Sequence, residues 1–274
     1  MEMRTDEIIV RTQKEWDDIP QNFRGYVTIQ GNKYIDDPIV ISNEKGVVIN
    51  VTKDGLVEVR GGVQIYGYEN AEIRAFENSR IMVEDKAVVY AYNRARVKAY
   101  NSCRIILNDK AYAEATDNCK VRANGDSFVK ASAFASVEAH DHAIVKALDN
   151  SKVWAHDRAY VKGRDYAKIT AYGSSVVDAV SYNIITAFDY SNIRAKGGCS
   201  ALISAYDRAK VEAHDYCRVF ANGDSCVEAD GHVFVRTRDA ASAKVTGYVS
   251  VKAEGRSNIT AYGNTSIVAY DESS

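Results

Sequence analysis

Histidines and carboxylates that could share a metal ion come together at one place in the chain. His140, Asp141 and His142 are followed, sixteen residues after the first of them, by His156 and Asp157. Two imidazoles and two carboxylates are a donor set for zinc or another transition metal. The competing explanation is structural. Asp, Asn or Gly recurs almost throughout the chain at the slot that Asp141 and Asp157 occupy, where a turn must bend the backbone. We therefore expect no metal here. The same slot supplies Asp109, Asp117, Asp149, Asp165, Asp189, Asp207 and Asp215. Calcium β-rolls use a glycine-rich nine-residue unit. That unit is absent from the sequence, so neither calcium nor any other cofactor is expected.

Nucleophilic chemistry fares no better. No Ser-His-Asp or Cys-His spacing and no phosphate loop can be read from the chain. The five cysteines do not form a disulfide pattern, and Cys103, Cys119 and Cys217 stand where Ala or Ser usually stands. They are read as buried thiols acting as small hydrophobes. Cys103 and Cys119, sixteen apart, should lie one above the other. No catalytic residue is assigned, and the chain is not expected to be an enzyme.

Two outward columns remain. Sampling every sixteenth residue gives Tyr112, Phe128, Ile144, Tyr160 and Val176, and beside them Lys98, Lys130, Lys146 and Lys162. A contiguous apolar strip on a protein surface marks an interaction face. Aromatics flanked by cations can also stack on bases and hold phosphates. The plainer account is that like residues stack favourably in any parallel ladder. We expect these nine residues to bind a protein partner, with nucleic acid as the lesser alternative.

What positions these side chains is a repeat of eight. Centres occupied by Val or Ile fall every eight residues from Val57 to Ile193, resume at Ile203 and run to Ile267, with only Ala113 and Ala243 departing. Two extra residues enter near Gly197, Gly198 and Cys199. Small residues stand two before each centre and Ala two after, so these three share one face of a strand. Helical spacings of three and four are missing. Each octad is thus a short strand plus a turn, and successive octads stack as parallel strands. Inward residues this small would leave a three-sided coil hollow, whereas interiors are close-packed. The columns also sharpen at sixteen and blur at twenty-four. The expected fold is an all-β parallel β-solenoid (β-helix) with two octads, sixteen residues, per coil.

Residues 1–52 differ and are read as a small α+β cap, with 53–274 the solenoid. Both prolines, Pro20 and Pro38, lie in the cap, as a ladder in which every amide donates requires. Thr12 and Glu15 form a capping-box pattern for a short helix ending before Pro20. Strands are expected at 7–11, 26–30, 39–42 and 47–51. A cap of this kind covers an open sheet edge that would otherwise aggregate. No cap follows Tyr270, which suggests a homodimer through the C-terminal coil or an outer sheet face. Across 274 residues, 35 basic and 37 acidic side chains nearly balance, which argues neither for general nucleic-acid binding nor for an acidic mimic of DNA, while local stripes can still matter. The charged start and the absence of a long apolar run give no secretion signal and no membrane association. The cytoplasm is the expected compartment.

The small–x–Val–x–Ala–x–Asp/Gly octad resembles octapeptide-repeat β-solenoids of phages and mobile elements of Gram-positive bacteria. The opening Ile8 to Pro20 followed by Gly25-Tyr26-Val27-Thr28-Ile29 resembles their leader segment. The coils are also similar to those of bacterial ice-nucleation proteins, without their threonine arrays. The resemblance implies a phage or mobile-element accessory protein in the host cytoplasm. Such a protein would bind and sterically block a host defence machine, for instance a CRISPR effector, which is a nucleoprotein complex. A fibre protein that assembles by stacking and a β-helix carbohydrate-active enzyme are the alternatives.

Overall fold

Alternation with a period of two makes most octads a four-residue strand, such as Ile144–Ala147 or Lys152–Ala155, whose second and fourth residues are buried. The structure, a computed structural model, describes residues 7–33, 37–42, 47–196 and 200–270. The charged start at residues 1–6, the insertion at residues 197–199 and the charged tail after Tyr270 lie outside the described residues. The chain divides into two compact units, Met1–Lys130 and Ala131–Ser274. Each is a parallel β-solenoid of two sheets.

In the first unit, β1 (Glu7–Val10) is followed by a short helix, α1 (Gln13–Asp17). Three further strands are β2 (Tyr26–Gln30), β3 (Ile39–Ile41) and β4 (Val48–Thr52). One sheet runs β1, β2, β4 and then Gln64–Gly67, Arg80–Val83, Arg96–Ala99 and Tyr112–Ala115. The other starts at β3 and continues through Leu56–Val59, Glu72–Ala75, Val88–Ala91, Arg104–Leu107 and Lys120–Ala123. All pairings are parallel. In the second unit, strands of alternate octads pair in the same way, Ile144–Ala147 with Tyr160–Gly163 and Lys152–Ala155 with Lys168–Ala171. Register partners are sixteen apart. Across the insertion the offset becomes eighteen, pairing Ile184 with Leu202 and Asn192 with Lys210. Beyond this wider offset the parallel ladder continues, Leu202 pairing with Arg218 and Lys210 with Cys226 at sixteen again.

The core is the inward trio of each octad. Ala143, Val145 and Ala147 are fully buried, as are Ala159 and Val161 in the next coil. Where the small slot carries Asn183, the alanine slot of a neighbouring strand carries Gly163. A Cβ there would lie 2.7 Å from Asn183 Oδ1 and 2.6 Å from Ile169 Cδ1.

The turn aspartates have a backbone task. Asp141, Asp149 and Asp157 sit in the left-handed region, with φ of 56°, 53° and 56°. Asp and Asn reach that region more readily than most side chains. Several turn carboxylates also accept the N–H of the left-handed residue one coil earlier. Asp157 Oδ2 receives Asp141 N–H at 3.2 Å, Asp149 Oδ2 receives Ala133 N–H at 3.1 Å, and Asp189 Oδ2 receives Gly173 N–H at 2.9 Å. A donor that points away from both sheets is thereby satisfied.

The capping box forms as its sequence requires. Thr12 Oγ1 accepts Glu15 N–H at 3.2 Å, and Glu15 Oε2 accepts Thr12 N–H at 3.2 Å. The helix buries Trp16, with Ile19 just beyond it. Strands β2, β3 and β4 lie in the sheets of the first unit as ordinary parallel neighbours of the octad strands. No described helix is long and apolar enough to cross a membrane.

Candidate functional site

The histidine group is a stack. His140 and His156 lie with ring centres 4.8 Å apart and planes 8° from parallel. Tyr172, Phe188 and Tyr206 extend the column at 5.0, 5.2 and 5.1 Å. Parallel rings point their nitrogens sideways rather than toward a shared centre. His140 Nδ1 stands 3.8 Å from Asp157 Oδ2, while Asp157 is engaged with the backbone of Asp141. Burial, and then the charge of His140, push the His156 pKa below its usual value, against the pull of Asp157 and Glu138. Among the described residues no group of three or more His, Cys, Asp or Glu could hold a metal ion.

The turn aspartates named above for calcium include Asp109, Asp117, Asp149, Asp189 and Asp207. Each accepts a backbone N–H from the preceding coil. Cys103 and Cys119 are buried free thiols in neighbouring coils. Cys103 Sγ approaches Tyr100 O at 3.1 Å, and the adjoining Cys119 thiol together with burial holds the Cys103 pKa above the ordinary thiol range.

The outward columns form locally. In the first unit Tyr112 stacks on Phe128, ring centres 5.5 Å apart. In the second, Ile144, Tyr160 and Val176 are consecutive register partners. The tyrosine hydroxyls are anchored: Tyr112 donates to Glu114 at 2.7 Å, and Tyr160 donates to Asp178 at 2.5 Å. Burial, then these carboxylates, push both phenols up to about 12. The lysine stripe is interrupted. Lys146 and Lys162 are register partners, but Lys98 faces Glu114 and Lys162 faces Asp178. Glu114 and Asp178 stand in the lysine slot because they hold the tyrosines.

A second surface escapes the every-sixteenth reading. On the other sheet of the second unit, Ile184 and Leu202 are register partners, 45% and 39% exposed. Beside them at the turn, Tyr166 and Tyr182 stack with ring centres 5.6 Å apart and are 58% and 57% exposed. Tyr182 leads directly into Ile184, and Tyr216 holds the equivalent turn slot ahead of Arg218, the register partner of Leu202. Lys168 pairs with Ile184 on the other flank. The result is an apolar and tyrosine-rich patch with a cation on each side. Leu202 is eighteen rather than sixteen residues from Ile184, so the insertion hides this pair from a fixed sampling interval.

One further open groove is lined by Lys196, Glu212, His214, Asp230, Lys244 and Thr246, with His214 Nδ1 2.6 Å from Asp230 Oδ1. Comparison with protein-family models, with curated proteins and with solved structures finds no match.

Proposed function

We propose that the chain is a non-enzymatic protein-binding scaffold whose partner docks on the patch around Ile184 and Leu202. The exposed side chains of that patch carry the reading. Four large apolar or tyrosine side chains, Tyr166, Tyr182, Ile184 and Leu202, stand together and exposed. Contiguous exposed apolar surface rimmed by polar residues marks interaction sites. Tyrosine and arginine are also the residue types that dominate interface energetics. The strand that carries Ile184 is hydrogen-bonded to a neighbour on each side, so little order must be gained on binding, which favours affinity. In this reading the protein acts by covering a surface. It is the accessory protein that the octad resemblance implies, and its partner is a host defence complex such as a CRISPR effector.

The test is affinity purification of the tagged chain from the natural host, with mass spectrometry of what is retained. The wild type is expected to retain one specific complex. The combined variant Tyr182→Ser, Ile184→Ser, Leu202→Ser is expected to lose it while melting as the wild type does. Loss instead on altering Ile144, Tyr160 and Val176 would move the interface to that column. Fibres formed by the purified chain alone would favour the structural alternative.

A further inference from the structure

We infer that the first unit carries a binding groove for single-stranded nucleic acid, lined by Arg80, Arg94, Arg96, Lys98 and Lys110 and bordered by Tyr112. The groove is an open cavity of about 790 Å³. Its cations come from two places in the coil. Arg80, Arg96 and Lys98 stand on the outer face of one sheet, and Arg94 and Lys110 stand at the turn that leads into it. All five are exposed.

Several cations elsewhere meet acids: Lys33 pairs with Glu72 at 3.0 Å, Lys196 with Glu212 at 3.1 Å, and Arg236, Arg238 and Lys252 share Glu254. Among the described residues none of the five groove cations has a carboxylate within 4.0 Å. Arg80 and Arg96 are direct register partners, so two like charges stand one strand spacing apart, about 4.8 Å. Side-by-side like charges on a sheet are unfavourable, and a bound polyanion would relieve that repulsion. The acid lining the groove, Glu114, accepts the Tyr112 hydroxyl. The turn acids close by are also occupied, Glu77 with Gly61 N–H and Asp109 with Asn93 N–H.

Tyr112 selects among polyanions. One face of its ring is covered by Phe128. On the opposite side lies the adjacent strand, where Arg96 is the register partner of Tyr112. When the Arg96 guanidinium swings onto a phosphate, the ring face on that side is left for a base to stack on. Cations that track a backbone beside an aromatic platform are how single strands are held without sequence readout. An acidic peptide or a sulfated sugar would use the cations and leave the ring idle. A duplex keeps its base faces covered and would do the same.

The experiment is fluorescence anisotropy on the purified full chain with a labelled oligothymidylate of about fifteen nucleotides, near the upper site size of single-strand binders. Poly-glutamate and a duplex of equal charge serve as competitors. The expected result is salt-dependent binding whose log–log slope is roughly −3 to −4, from five cations at about 0.7 each. Arg96→Glu with Lys98→Glu should weaken it at least tenfold. Tyr112→Leu should weaken it by about five-fold or more, the range expected for a lost stacking platform. Lys152→Glu with Lys210→Glu, exposed cations of the second unit, should leave it unchanged. Circular dichroism melts verify that each variant is folded. Absence of salt-dependent binding overturns the proposal, as does equal competition by poly-glutamate or preference for the duplex. A loss on changing Lys152 and Lys210 as large as that on changing Arg96 and Lys98 also overturns it, because the binding would then be diffuse.

Discussion

The side chain of Gln13 pairs with Val40 as a neighbouring strand would. Its Oε1 accepts Val40 N–H at 2.7 Å, and its Nε2 donates to Val40 C=O at 3.3 Å. Strand β3, which holds Val40, is the outermost strand of its sheet in the first unit. An open edge is a template for association with another chain, and one glutamine amide on α1 occupies it. Gln13→Ala should therefore lower stability by only about 1 kcal/mol and raise association more than it lowers stability. Chemical denaturation checks the first effect and light scattering against concentration the second. A variant that loses stability and stays monodisperse would show that the edge is protected by other means.

Gly163 and Asn183 are complementary. Asn183 Nδ2 donates to Val180 O at 2.8 Å, and its Oδ1 occupies the space that a Cβ on residue 163 would fill. Gly163→Ala alone should cost about 1–3 kcal/mol through overpacking. Adding Asn183→Ala restores the alanine that both slots carry in most octads and should recover part of that loss. The Ile169 contact at 2.6 Å remains, so recovery should be incomplete. A double-mutant cycle by denaturant melts measures the coupling. Additive losses would mean that Asn183 is not what excludes the side chain.

Much of this geometry is legible in the sequence, for a physical reason. Parallel strands stacked in register place residues sixteen apart on top of one another, so like residues recur at that interval and the columns His140–His156 and Tyr112–Phe128 can be read directly. The helix start is equally legible, because Thr12 and Glu15 satisfy each other's amides whatever surrounds them. What could not be read involves contacts between different slots. Glu114 and Asp178 break the lysine stripe because each holds a tyrosine, and Asp178 lies eighteen residues from Tyr160. The basic groove combines a strand slot with a turn slot, and no single column contains it. The pairing of Ile184 with Leu202 depends on where the insertion is absorbed.

The ring column should make the second unit sensitive to acid. His156 is half-buried between His140 and Tyr172, and burial followed by the charge of His140 lowers its pKa from 6.5. A folded pKa below the unfolded one means that the unfolded chain takes the proton first. The stability His156 contributes is then complete above about pH 6.5 and is lost as pH falls through the lowered value. His156→Phe keeps the stack and removes the titration. Between pH 7 and pH 5 the wild type should lose more thermal stability than this variant. Equal losses would show that His156 does not govern the acid response.

Glu254 gives an acid response in a lower window. It accepts Arg236 Nη2 at 2.8 and 2.9 Å and Arg238 Nε at 2.8 Å, and Lys252 Nζ lies 2.9 Å away. Lys252 first, then Arg236 and Arg238, hold its carboxyl down at about 2 against an ordinary 4.5. Here too the folded pKa is the lower one. The contribution is present above about pH 4.5 and is lost as pH falls toward about 2. Glu254→Gln leaves three cations facing one another at neutral pH. It should lower the melting temperature at pH 7, by less in high salt because the repulsion is screened. The gap between wild type and variant should close as pH falls through that window. A gap unchanged at pH 2.5 would assign the loss to packing rather than to charge.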